Sequence, residues 1–186
     1  MKKLATQDRQ ALIKLASGLK PGSPERVAIL AGLTKQSNDE VNVPGKHILD
    51  NAEVRGNAKV YDKAKVFGNA EVIGNAQVYG RAQVSGRAFV TDDAMVYEDA
   101  EVGGNAKVFE DAEVSGDALV YGDAYVFGKA RVWGNAKVFG DAKVSGNANV
   151  YGKANISGTA VIMGGNWNGS EVPITSGKWK SPGVPA

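Results

Sequence analysis

Apolar positions recur along most of this chain with a fixed period of six. Val or Ile occupies twenty successive registers, from Ile48 through Val54, Val60 and Val66 to Ile156 and Ile162, without an insertion or deletion. Ala stands two positions earlier, from Ala52 and Ala58 through Ala154 and Ala160, and Gly usually stands two positions later. The unit therefore reads Asn/Asp-Ala-x-Val-x-Gly. In an extended strand, alternate positions share a side, so Ala and Val point together while the residue between them points away. That middle residue is usually Lys, Glu, Gln or Asn, which suits a wetted outer face. A short fixed period of this kind is the signature of a solenoid.

The corners follow from the same unit. Gly takes positive φ without penalty, and an Asn or Asp after it tolerates that region and can bond locally to the backbone. Short strand, sharp corner, short strand is the predicted local structure. Three units close a triangular coil, and coils stack by parallel pairing at about 4.8 Å. Twenty units make six to seven coils, a prism roughly 30 Å long. Each buried Val contributes about 1.5–3 kcal/mol, so stability grows with coil number.

The run Gly74-Asn75-Ala76-Gln77-Val78-Tyr79-Gly80 resembles the hexapeptide repeat of left-handed parallel β-helices, the fold of trimeric acyltransferases and γ-type carbonic anhydrases. Its Gly is displaced by one position from the commonest acyltransferase version. The closer resemblance is to phage- and prophage-encoded hexapeptide-repeat proteins, which end in a Gly-Gly-x-Trp segment, here Gly164-Gly165-Asn166-Trp167. The resemblance implies an all-β, left-handed parallel β-helix and, by the habit of that fold, a homotrimer.

Four segments follow. Residues 1–33 read as a short helical attachment or capping segment. Thr6 can cap a first helix with Leu12, Leu15, Ala16 and Leu19 on one face, and Ser23-Pro24-Glu25 starts a second that Gly32 stops. Two such helices bury too little surface to stand alone, so they must dock on the solenoid end, another copy or a larger assembly. Residues 34–44 read as a linker and 45–164 as the repeat array. In residues 165–186 the hexad stops, and Trp167, Val172, Pro173, Ile174 and Trp179 read as a cap over the last coil. A protein partner is expected through residues 1–33 or this tail.

Composition narrows the function classes. The formal charge of +2 is spread along the repeats without a basic block, so no nucleic-acid partner is expected. No stretch is apolar enough to span a membrane, and the start Met1-Lys2-Lys3-Leu4 is too polar a context for a signal peptide. A cytoplasmic or virion-associated location is the expectation. The absence of Cys excludes disulfides and thiolate metal sites. A three-His zinc site is also beyond one chain, because His47 is its only histidine; it reads as a first-turn surface residue. The array has no long loop of the kind that carries active sites on such scaffolds.

Two clusters remain as candidate sites. Asp92-Asp93 and Glu110-Asp111 put acids where most corners have Gly, three hexads apart and therefore stacked. Their repulsion calls for a basic neighbour, Lys107 or Lys129, or for a calcium ion, which favours oxygen ligands. Beyond this speculative calcium no cofactor is expected. The position after Val holds Tyr61, Tyr79, Tyr97, Ser115, Trp133 and Tyr151 at steps of three hexads, an aromatic edge that can stack along the solenoid or bind a ligand. A longer repeat, Gly104–Phe109 returning as Gly134–Phe139, spans five hexads, which is not a whole number of coils. Copying thus rotates decorations between faces and argues against a flat ligand-matching array. The expected function is a non-catalytic structural or protein-interaction solenoid. A glycan-binding module on the aromatic edge is the alternative, and an acyltransferase-like enzyme the second.

Overall fold

A computed structural model describes residues 47–170, 172–181 and 184–185. The expected helices of residues 1–33 and the linker of 34–44 lie outside the described residues. Within them every regular element is a β-strand, and each repeat strand is only two residues long: Glu53–Val54, Lys59–Val60, Lys65–Val66 and so on to Val161–Ile162. These strands are short because a corner bends the chain once in every hexad.

Successive strands belong to three different sheets of nine, seven and six strands, parallel except for the last strand of the first. The first runs along Val54, Val72 and Val90, the second along Val60, Val78 and Val96, the third along Val66, Val84 and Val102. Each strand pairs with the one three hexads away, as in Val54↔Val72, Lys59↔Gln77 and Lys65↔Gln83. The chain is thus a three-sided parallel β-solenoid of about seven turns, one for each strand of the second sheet. Backbone hydrogen bonds join the coils at a step one position short of three hexads: Lys59 N to Ala76 O at 2.9 Å, Phe67 N to Val84 O at 2.9 Å, Asn69 N to Gly86 O at 2.7 Å.

Inside, the Ala and Val columns from Ala64 to Val150 have essentially no accessible surface. Ala next to the corner keeps the prism narrow, and Val fills its walls, the shape-matched packing that leaves no voids. The tail continues this interior. Asn166–Trp167 pairs with Asn149–Val150, Ile174 bridges Ile156, and Lys178–Ser181 pairs with Val161–Ile162, so all three sheets gain a further rung. Trp167 and Trp179 stand in Val or Ile columns, edge to face at 6.3 Å. Their indole N–H groups donate to Gly164 O at 2.7 Å and Ser176 O at 2.9 Å. Two indoles thus close over the last small-residue layer, and Val184–Pro185 then turns back antiparallel onto Lys178–Ser181.

The corners explain where the glycines fall. Gly122 has φ of 73°, and a Cβ there would lie 2.8 Å from the amide nitrogen of Gly140 one coil on. Asp50, Asp62, Asp92, Glu98 and Glu110 hold the same left-handed conformation, at φ of 56–60°. Four of them compensate with the side chain: Asp50, Asp62, Asp92 and Glu98 accept the amide N–H of the corner stacked on them. These are Gly68 at 3.0 Å, Gly80 at 3.2 Å, Glu110 at 3.1 Å and Gly116 at 2.7 Å. A carboxylate thus offsets left-handed strain by capping its neighbour.

Gly122→Ala is expected to lose about 1–2 kcal/mol from the left-handed backbone alone, with the Gly140 contact adding to it. Gly122→Asp, which can cap the Gly140 amide, should lose less. Equilibrium urea unfolding compares the two, and equal losses would show that corner acids compensate nothing.

Candidate functional site

Residues directly after Val leave the strand at the corner and face outward, so the three-hexad coil stacks them into columns. On the second edge these rings form two separate piles. Tyr61, Tyr79 and Tyr97 stack at 5.1 and 5.0 Å with planes within 6° of parallel, and Trp133 stacks on Tyr151 at 4.7 Å. All five residues of the expected aromatic edge are therefore in the column, but Ser115 divides them. The hydroxyls reach the strand of the next coil: Tyr61 donates to Gln77 Oε1 and Tyr97 to Glu113 Oε2, both at 3.4 Å. Burial pushes the Tyr61 and Tyr79 phenols above their ordinary pKa. The charge of Asp62 adds to the shift at Tyr61, and the neighbouring ring hydroxyls add to that at Tyr79.

The other edges decorate the same positions differently. Phe109 and Phe127 stack at 5.0 Å on the first. On the third, Tyr121 folds back over Gly103, where a Cβ would run into its ring, and donates to Glu101 at 2.6 Å. Burial, then the Glu101 hydrogen bond, pushes its phenol up to about 12.

The acidic corner gathers no metal-binding set. Asp92 Oδ2 is bonded to the Glu110 amide, and Asp93 Oδ1 accepts from Asn75 Nδ2 at 3.0 Å. Among the described residues no group of three or more His, Cys, Asp or Glu side chains is placed to hold a metal ion. Lys107 does not turn to these acids: its ammonium lies 5.3 Å from the centre of the Tyr125 ring, and Lys143 lies 5.5 Å from it. Lys129 does share a depression with Asp111. Stacked like charges elsewhere are bridged, as where Arg55 reaches Glu53 at 3.1 Å and Glu71 at 2.7 Å. Arg81–Asp99 at 2.7 Å and Arg131–Glu113 at 3.3 Å are single ion pairs between one coil and the next.

His47 corrects its sequence reading. It is buried, not a surface residue, at 1% exposure. In later coils the carbonyl of the repeat Ala accepts a backbone N–H from the preceding coil; the carbonyl of Ala64 accepts the His47 ring, Nδ1 at 3.1 Å. Because a carbonyl only accepts, Nδ1 carries the proton. Nε2 is buried without a partner. The imidazole thus extends the backbone ladder at the start of the array.

Sequence reading also missed the Tyr121–Glu101 bond and the Lys107–Tyr125–Lys143 sandwich. Both were findable by stepping three hexads from Gly103 and from Tyr125, because a small residue or a pair of cations then appears in the column. Comparison with protein-family models, curated proteins and solved structures gives no match.

The raised Tyr121 pKa has a signed consequence. Below pH 10 the phenol is neutral folded and unfolded; above it the unfolded phenol ionises first, so this contribution to stability falls between pH 10 and about 12. Subtracting a Tyr121→Phe ultraviolet titration from that of the parent chain should isolate one tyrosine with a midpoint of about 12. Glu101→Gln should lower that midpoint. An unmoved difference curve would remove Glu101 as a cause.

Proposed function

We propose that this chain is a non-catalytic structural or protein-interaction β-solenoid, a hexapeptide-repeat rod of the left-handed, phage-associated kind, assembled as a homotrimer and carried in the cytoplasm or on a virion. The observation behind this reading is the direction in which outward groups are engaged. Aromatic stacks, amide pairs such as Asn57 Nδ2 to Asn75 Oδ1 at 3.1 Å, corner caps and three of the four ion pairs among the described residues run from one coil to the next. They tie the coils together along the axis and do not converge on a common point, as an acid, base and oxyanion donor would. A solenoid cross-linked inside and out is stiff, and stiffness with set length is what a spacer or scaffold needs. Among the described residues no helix is long and apolar enough to cross a membrane.

The full chain should sediment at three times its 19.4 kDa mass, and a monomer at micromolar concentration would end the trimer proposal. Calorimetric titration with acetyl-coenzyme A should be flat; a saturable heat would restore the acyltransferase-like reading. On a glycan array, retention that disappears in Trp133→Ala would replace the rod by a glycan-binding module.

A further inference from the structure

The break at Ser115 in the second aromatic edge is not like the others. Tyr97 lies one coil before it and Trp133 one coil after, so two ring faces look at each other across a two-coil interval of about 9.6 Å. The chain's own rings stack at 4.7–5.1 Å per coil. One flat ring placed between them would therefore contact both faces at the spacing already used above and below. Ser115, only 7% exposed, is the floor, and the notch has a volume of about 390 Å³.

Neither wall collapses into it. Tyr97 is held by its stack on Tyr79 and by Glu113, and Trp133 by its stack on Tyr151. On the third edge the small residues Ser85 and Gly103 leave a three-coil interval between Phe67 and Tyr121, and there Tyr121 bends over Gly103 and takes that rung. On the first edge Ser145 is followed by Met163 in its column, so only Phe127 offers a ring wall. Ser115 alone of these has an aromatic residue as its neighbour in the column on both sides, Tyr97 and Trp133.

Chemistry at the far end selects the ring. In this column a hydroxyl reaches the strand one coil on, as from Tyr61 to Gln77 and from Tyr97 to Glu113. A ring lying over Ser115 points its edge at Arg131 by the same rule. Arg131 Nη2 is 3.3 Å from Glu113 Oε1, so a hydroxyl arriving there can accept from the guanidinium and donate to the carboxylate. We infer that the Ser115 notch, walled by Tyr97 and Trp133 and ended by Arg131 and Glu113, is a binding slot for one neutral phenol-type ring. A pyranose chair is thicker and surrounded by hydroxyls for which two ring faces offer no partners. The ring belongs to a free phenol or to a tyrosine side chain of a partner, the same chemistry from two sources. The slot goes beyond the rod reading and does not require it.

Titration of p-cresol into the full chain, followed by calorimetry and saturation-transfer NMR, should show saturable binding with Kd on the order of 1 mM, as suits so small a ligand. Toluene, lacking the hydroxyl, should bind at least ten-fold more weakly. Ser115→Tyr supplies the absent rung from within and should abolish binding while raising Tm. Should Ser115→Tyr fail to fold, Trp133→Ala removes one wall and should weaken binding at least ten-fold. N-acetyl-glycyl-tyrosyl-glycinamide binding as p-cresol does would assign the slot to a partner tyrosine, and p-cresol binding alone to a free phenol. No saturable p-cresol binding, or binding undiminished in a folded Ser115→Tyr and in Trp133→Ala, overturns the slot. Methyl glucoside binding in place of p-cresol overturns it in favour of a sugar. A trimer that persists under any of these outcomes keeps the rod reading separate.

Discussion

A left-handed corner in every hexad is the constraint on which the rest of this molecule depends. It bends the backbone before a repeat strand can lengthen, and three such bends bring the chain back over itself. Every residue then finds a neighbour three hexads away, joined through the parallel backbone ladder. Ala can stand beside each corner and Val along each wall because the coils are all the same size. Where the corner is not Gly, the replacement is an acid, and in four of five cases its carboxylate bonds to the corner above.

The outer surface obeys the same step. Identical or matched side chains come within a few ångströms of each other whether or not they suit one another, and each column resolves this in its own way. Rings stack, amides chain from Asn57 to Asn75 to Asp93, Arg55 bridges two stacked acids, and two lysines flank the Tyr125 ring. These contacts are individually weak at an exposed surface, but each repeats along the axis. Ends are handled separately: His47 supplies a ring N–H to the first ladder, and Trp167 and Trp179 roof the last layer with surface that Val could not cover.

Legibility followed the period. The Ala and Val columns, the positive-φ corners and the membership of the aromatic edge were readable because each depends only on position within the hexad or within the coil. His47 was not, because it precedes the first complete unit and its burial depends on what packs around the coil end. The tail was read as a departure from the hexad, yet it pairs in all three sheets. Trp167 and Trp179 pair with Val150 and Ile162 at one position short of three hexads, so the period is broken and the register is recovered only by pairing. The acidic corner was legible as a stack of carboxylates but not as a set of backbone caps, since only the coil spacing shows that an amide N–H lies within their reach.

The hexad pattern by itself determined the solenoid, its three sides, its number of coils and the residues sharing each column, because a strand-and-corner period is a local property that burial reads directly. Tertiary structure alone decided how each column is settled: that Tyr121 turns down over Gly103, that Lys107 turns to Tyr125 rather than to the acids, and that the interval at Ser115 stays open. Those outcomes depend on rotamer choice among side chains one coil apart, where competing partners differ by a fraction of a hydrogen bond and no periodicity ranks them.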